Sequence, residues 1–594
     1  MLTVKITAMN TIAHHYRLEP HDLAGHRLRV SLTVARPDPN GQDVSLPAWI
    51  PGSYLIRDFS RHIETLRAKR GTRRIALVKR DNHTWHIPAG VGSVTLEYVV
   101  YCWDLSVRGA HVDPTHAFFN GTGVFLRVHG QENRPHLLDL VTPKGAQDWK
   151  VYTSLPPDQG RGAARAHGFG RYIAPDYDAL IDHPVEMGRA QAISFVAHGA
   201  THELVFTGAS ERIDLARIAA DVKRICEAQI AFFEPRSKRA PFLDSARKYV
   251  FMTQLTPNGY GGLEHRASTA LVATRRDLPT RGEAGMSEGY RTFLGLVSHE
   301  YFHTWHVKRI KPAAFVPYDL TEPNLTRLLW VFEGFTSYYD DLFLLRSGLI
   351  AETDYLGLLG KTILGVGQTP GRLKQSVGDS SFDAWTRYYK QDENAGNAIV
   401  SYYTKGSLVA LCLDLLIRQR SSNTRSLDDV MRLLWTRYGR DFYRGKPRGV
   451  EEDAMAEIVQ TATGIDLRSE LKSFVDNTAE LPIETLLEQA GVKLQTQAAP
   501  LPVSLGARLR ATDGAMAVAT VREQGAAHRA GLATGDLIVA VDGWKVETQA
   551  GLDAVLAGRS PGAVIAVHAF RLDALMSFEV RLSAAPPAVL RLSR

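Results

Sequence analysis

The chain has 594 residues, 44% of them hydrophobic and 22% charged, and a formal charge of +7. That composition suits a globular protein of about four domains; the nearest approach to the roughly 18-residue apolar run of a membrane helix, GSLVALCLDLLI, is short and contains Asp414. The basic residues are scattered, which argues against a nucleic-acid groove, and three widely spaced cysteines argue against a disulfide framework or a cysteine-rich zinc site.

The opening segment, MLTVKITAMNTIAHHYRLEP, lacks the basic-then-apolar layout of a secretory signal, so a cytoplasmic location is expected. Up to about residue 190, stretches such as HRLRVSLTVAR and SVTLEYVVYCW alternate apolar and polar residues and predict strands. Turn signals such as PDPNGQD, PAGVG and FFNGTG separate them. ERIDLARIAADVKRICEAQIAFFE then has helical periodicity, and KYVFMTQL and STALVAT predict strands flanking PNGYGGLEHR. Helical patterns dominate from 287 to about 480. LQTQAAPLPVS, near 494–504, predicts a linker, and short strands with glycine turns follow it. The expected division is a β domain at 1–190, a catalytic domain at 191–350, a helical domain at 351–492 and a small β module at 500–588.

GMSEGYRTFLGLVSHEYFHTWHVKR predicts one helix with Ser287 as its N-cap. On it, His299 and His303 stand one turn apart and can share an ion. Neutral imidazoles suit Zn²⁺, and a catalytic zinc takes three protein ligands plus a water. Glu300 is placed to accept a proton from that water, which gives H-E-x-x-H its mechanism. The chain holds 21 histidines, so a chance match is the competing explanation, and histidines such as His14, His15, His111 and His116 are expected to be solvated or hydrogen-bonded. Three residues compete as third ligand. His306 lies on the same helical face, but the histidine-ligand pattern would need a glycine there and a histidine where Arg309 stands. Glu322 has a favourable spacing but sits in a loop, YDLTEPN. Glu333 sits in LLWVFEGFTSYYDDLFLL, which predicts a buried helix.

LLWVFEGFTSYYDD resembles the LW-x-x-E-G-F segment of the aminopeptidase class of gluzincins. HEYFHTWHVKRIKP and YGGLEHRAST are similar to segments of the glycyl aminopeptidases, a related family bearing a PDZ domain. The resemblance implies a thermolysin-like zincin domain after an N-terminal β domain, with a helical domain and a PDZ domain following. It makes Glu333 the third Zn²⁺ ligand beside His299 and His303, with Asp340 as acidic partner to a zinc histidine. SYYTKGSLVALCLD resembles the segment carrying a catalytic tyrosine, which matches Tyr403 and implies an oxyanion donor. GGLEH resembles the exopeptidase segment: Gly261 and Gly262 would lie along the substrate backbone, and Glu264 would bind its α-ammonium. Leu263 and His265 depart from that segment's usual Met and Asn, and His306 stands where the family has Asn; a hydrogen-bonding substitution is expected there. WIPGSYLIRDFSRHI and FFNGTGVFLRV resemble the family's N-terminal domain and are expected to form scaffold or cleft wall.

GAAHRAGLATGDLIVAVDGWKV resembles PDZ domains of the bacterial protease type, which implies a C-terminal peptide ligand held near Ser504–Ala507. YLGLLGKT has Tyr355 where a phosphate loop needs its first glycine, and no G-x-S-x-G elbow occurs. The expected function is a zinc aminopeptidase acting on peptides with a free N-terminus, with the family's preference for small residues such as Gly or Ala. The competing readings are a PDZ-guided metalloendopeptidase and a non-catalytic peptide-binding protein. No nucleic-acid partner is expected, and the residues do not specify an oligomeric state.

Overall fold

The computed structural model describes residues 13–594, so the first twelve residues of the segment read for a signal lie outside the described residues. Two compact units emerge: Met1–Asn324 with Leu434–Val450, and Leu325–Leu433 with Glu451–Arg594. Residues 434–450 leave the helical part of the sequence to join the first unit. There the Trp435 indole donates to Glu234 at 2.8 Å, and Val450 exchanges backbone hydrogen bonds with Lys311 and Ala313 at 2.7 and 2.8 Å.

In the first unit the alternating stretches form strands as expected. Arg27–Val34 turns Leu28, Val30, Leu32 and Val34 inward, and Val94–Tyr101 does the same with Val94, Leu96, Tyr98 and Val100. Both lie within a seven-stranded sheet, and two four-stranded sheets complete the β region. A five-stranded sheet follows in the order Gln191–Ala197, Ala200–Thr207, Lys248–Thr256, Ser268–Thr274, Tyr260–Glu264. Its last strand runs antiparallel to Ser268–Thr274 and leaves its other side as a sheet edge.

Two helices pack by this sheet. Asp214 caps Leu215–Phe233 by accepting from the Arg217 amide, and Ser287 caps Glu288–Phe302 by accepting from that of Tyr290, at 3.0 Å. The buried Gln229 amide donates to Ser298 O at 2.9 Å and lies 3.0 Å from Ser298 Oγ, tying the helices together one residue before His299. The second helix ends at Phe302, several residues earlier than its pattern predicts, and residues 303–310 form turns. The cause is distant in sequence. Arg309, fully buried, bonds Asp244 through Nε at 2.8 Å and donates to the carbonyls of Arg266 and Thr304 at 3.1 and 2.8 Å. A straight helix would carry it away from these partners.

The second unit holds most of the helices. Thr404–Arg420, the apolar run with Asp414, is buried along most of its length. It meets Gly334–Arg346 backbone to backbone: a Cβ on Gly334 would lie 2.7 Å from Gly406 Cα, and one on Gly406 3.0 Å from Gly334 Cα. YLGLLGKT lies within the helix Glu352–Gly367. The C-terminal module has a sheet in the order Ala507–Thr512, Ala515–Val521, Leu537–Val541, Val564–Arg571, Ala574–Arg581, with helices Ala526–Ala530 and Gln549–Leu556 and its own core around Val518, Ile538, Val567 and Val580. The expected linker is partly strand. Lys493–Gln497 pairs antiparallel with the C-terminal Val589–Ser593, and Leu590 and Leu592 pack with Leu356, Leu487 and Val492. Among the described residues no helix is long and apolar enough to cross a membrane.

One ion cluster ties the end of the edge strand to the turn after the second helix. Asp182 is hydrogen-bonded to His265 Nδ1 at 3.0 Å, Arg266 Nε at 3.0 Å and Lys308 Nζ at 2.9 Å. Burial opposes its ionisation, but Lys308, His265 and Arg266 together hold the carboxyl well below the usual carboxylate range. Asp182→Asn strands Lys308 and weakens the hold on Arg266, so it should cost about 3–5 kcal/mol, the range for removing one partner of a buried ion pair. A folded-state pKa below the unfolded value means this contribution is complete above the unfolded carboxylate range and fades as pH falls through the folded value. Urea midpoints of wild type and variant should therefore differ most near neutrality and converge in acid.

Candidate active site

In the first unit, the H-E-x-x-H residues occupy the last turn of Glu288–Phe302 and its C-cap, His303. The His299 and His303 rings stand edge to face with centroids 4.7 Å apart. His303 Nδ1 lies 2.6 Å from the backbone carbonyl of His306 and, as a carbonyl can only accept, carries the proton. Nε2 is then the basic nitrogen, the form a metal takes. His306 thus bears on the pair through its main chain. It does not lie on the helical face that its spacing suggested, because the helix has ended before it.

Glu300 is 5% exposed and faces the sheet edge. A Cβ added to Gly262 would sit 2.0 Å from Glu300 Oε1, so the carboxylate occupies the space a side chain would fill. Thr269 Oγ1 is 3.4 Å from Glu300 Oε2 and donates to the Leu263 carbonyl at 3.0 Å, fixing the strand pair beneath it. Glu264, two residues along the same edge strand, is 4% exposed, and its Oε1 has no hydrogen-bond partner among the described residues. A buried carboxylate oxygen in that condition calls for a donor. His265 points elsewhere, into the Asp182 cluster. Its imidazole is hydrogen-bonded to Asp182.

Two further residues shape this half. Gly52, in WIPGSYLIRDF, packs on Glu264: a Cβ there would lie 2.5 Å from both carboxylate oxygens, and its φ of 94° also favours glycine. The segment is expected to form scaffold or cleft wall; its Gly52 makes room for the Glu264 carboxylate. Arg108, donating from Nη2 to the Gly262 carbonyl at 3.1 Å, carried no local signal because it is 154 residues from its partner. Glu322 is exposed in a bend, and Arg309 is committed to Asp244.

In the second unit, Glu333 is 2% exposed and sits at a break between the short helix Leu329–Phe332 and Gly334–Arg346, where one continuous helix was expected. The Tyr402 phenol is raised well above its ordinary value by burial, then by Tyr389 and the Glu333 carboxylate; burial and Glu333 raise that of Tyr388 too, although Ser401 opposes. The contact of Gly334 with Gly406 and with the Tyr402 carbonyl, 3.0 Å from its would-be Cβ, brings these aromatic residues to Glu333. Tyr402 is fully buried and stacks on Tyr403 at 4.6 Å, whereas Tyr403 is half-buried with its hydroxyl 3.5 Å from that of Tyr389. Of the pair, Tyr403 is the more exposed. Asp340 is half-buried two turns along the helix from Glu333.

Gly262→Ala should fold yet displace the Glu300 carboxylate. A displacement of about 1 Å can cost 10²-fold in rate where such a group acts on a bound reactant, so in that case kcat/KM should fall by roughly that factor with an unchanged thermal unfolding profile.

Three stretches match known families: the Peptidase M61 N-terminal domain over residues 15–189, the M61 glycyl aminopeptidase over 292–409, and a PDZ domain over 503–582. No curated protein sequence matches the chain. Among solved structures, an aminopeptidase N family protein from Idiomarina loihiensis is 40% identical, with 98% of each chain covered and a TM-score of 0.92. An M1 zinc metallopeptidase from Deinococcus radiodurans, solved with a Tyr-Ser-Ala substrate, is 13% identical over 80% of this chain and 95% of that one, with a TM-score of 0.48. Legionella pneumophila aminopeptidase A is 15% identical over 78% of this chain and 49% of its own, with a TM-score of 0.47. With both peptidase segments and the PDZ domain matched in order, and with a relative of this identity along almost the whole length, the chain belongs to the M61 glycyl aminopeptidase family.

Proposed function

We propose that the protein is a zinc aminopeptidase that removes the N-terminal residue of peptides, with a preference for small residues such as Gly or Ala. The observation that carries the exopeptidase reading is Glu264: a buried carboxylate on a sheet edge, with one oxygen lacking a donor, on the strand whose Gly262 abuts Glu300. A peptide laid along this edge can hydrogen-bond to it as an added strand. Its α-ammonium would then supply the donor that Glu264 lacks.

His299, His303 and Glu333 are the proposed zinc ligands. Two imidazoles and a carboxylate suit Zn²⁺ in a catalytic site, and the His306 carbonyl sets His303 in the ligating tautomer. Asp340 is proposed as the acidic partner of a ligand histidine. When bound, Zn²⁺ would acidify a water and polarise the scissile carbonyl. Glu300 accepts the proton of the attacking water and delivers it to the departing amine. The missing side chain of Gly262 lets the buried Glu300 carboxylate lie against the strand the substrate would join. Tyr403 donates a hydrogen bond to the oxyanion, and Glu264 sets the distance from N-terminus to cleaved bond. The PDZ domain is proposed to take the C-terminus of a peptide.

Gly- and Ala-anilides should be hydrolysed and their N-acetylated forms should not. Activity should vanish with a chelator and return with Zn²⁺. Glu300→Gln should reduce kcat by about 10²–10⁴-fold, the typical contribution of general acid–base catalysis. Tyr403→Phe should cost about 10²–10³-fold, the range for one oxyanion donor. Cleavage of blocked peptides would make the protein an endopeptidase. Full activity in Glu300→Gln would sink the mechanism, and no hydrolysis after zinc reconstitution would leave a binding protein.

A further inference from the structure

The hairpin formed by Ala110–Val112 and His116–Phe119 gathers two histidines and an aspartate in the first unit. One ligand atom from each of His111, Asp113 and His116 lies within 4.8 Å of the other two. Neither histidine is solvated: His111 is 1% exposed and His116 7%, and their rings lie 4.9 Å apart. Trp103 covers His111, with its ring 4.7 Å away.

Asp113 and His116 are each oriented by bonds on the side away from the cluster, whereas His111 is held by its bond to Asp113 and by ring packing. Asp113 Oδ1 is committed to the turn, accepting from the amides of Thr115 and His116 at 2.6 and 3.0 Å and from Thr115 Oγ1 at 2.5 Å. This leaves Oδ2 facing His111 Nε2, at 3.1 Å. His116 Nδ1 is 3.1 Å from Oε1 of Glu186, a buried carboxylate on the neighbouring strand Val185–Gly188, and Glu186 is itself held by Thr207 Oγ1 at 2.9 Å. A carboxylate bonded to one nitrogen of a histidine is the common way of orienting the other nitrogen toward a metal. The remaining donors are then the Nε2 atoms of His111 and His116 and Oδ2 of Asp113. Two imidazoles and one carboxylate form a set that binds divalent transition metals while leaving positions for water. Asp113 and Thr115 lie toward the surface, which gives an ion its way in.

From this geometry we infer a second divalent-metal site, formed by His111, Asp113 and His116, with Glu186 orienting His116. It is separate from the peptidase residues and does not rest on their assignment. An ion there would staple the hairpin to its own turn, next to the loop from which Arg108 reaches the Gly262 carbonyl.

The probe is Zn²⁺ added to the full chain after chelation, with bound metal measured by elemental analysis. The His299→Ala/His303→Ala variant, which removes the peptidase histidines, reads the hairpin site alone. It should retain one equivalent of zinc, and adding His116→Phe should abolish it. No bound zinc in the double variant, or zinc that survives the addition of His116→Phe, overturns the proposal. Should His116→Phe fail to fold, anomalous diffraction at the zinc edge from crystals of the double variant decides without further substitution. A peak between His111, Asp113 and His116 supports the site, and a peak only elsewhere, or none, refutes it. Failure of the peptidase reading would appear separately, as loss of anilide hydrolysis rather than of this equivalent.

Discussion

The first unit depends on the charge cluster around Asp182. A single buried carboxylate holds His265 and Arg266, which end the edge strand, and Lys308, which follows the helix of the H-E-x-x-H motif. Strand and helix are separate in the sequence, and hydrophobic packing alone would let them slide by a fraction of a residue. Hydrogen bonds between ions are directional and lose strength steeply when misaligned. The cluster therefore sets register as well as attraction: it decides that Gly262, and no neighbour, faces Glu300.

Close approach is the second constraint, and glycine supplies it at three points. Gly262 makes room for the Glu300 carboxylate, Gly52 for that of Glu264, and Gly334 lets its helix touch the one beginning at Thr404. At Gly262 and Gly52 a carboxylate fills the space of the missing side chain and so packs directly on backbone, and at Gly334 the backbone of Gly406 fills it.

Much of this was legible in the sequence. Alternation located the strands, Ser287 marked the helix start, and the spacing of His299, Glu300 and His303 gave the motif. Resemblance, and not periodicity, singled out Glu264, Glu333 and Tyr403. The misses share one cause: partners distant in the chain. The helix ends at Phe302 because Arg309 reaches back to Asp244, and nothing near residue 302 signals it; the apolar residues Trp305, Val307 and Ile310 prolong the helical pattern past the break. His306 attracted attention for its imidazole, while its carbonyl carries the contact to His303. Residues 434–450 join the first unit through Glu234 and Lys311. The pairing of Lys493–Gln497 with Val589–Ser593 spans the whole PDZ domain, so a Gln-bearing strand just ahead of Pro500 and Pro502 reads as a tether.

That terminal pairing changes what kind of appendage the PDZ domain is. A domain on a flexible leash samples a sphere whose radius grows with leash length. Here the chain enters and leaves the domain along a two-stranded ribbon, and Leu590 and Leu592 on its outgoing strand rest against Leu356 and Leu487 of the helical region. The Asn397 side chain adds a second hold, donating to the Val521 carbonyl at 2.8 Å and accepting from the Glu523 amide at 2.9 Å. The domain is mounted, as a handle is on a tool. Shortening the chain before Val589 would unseat the mount and bare the leucines beneath it.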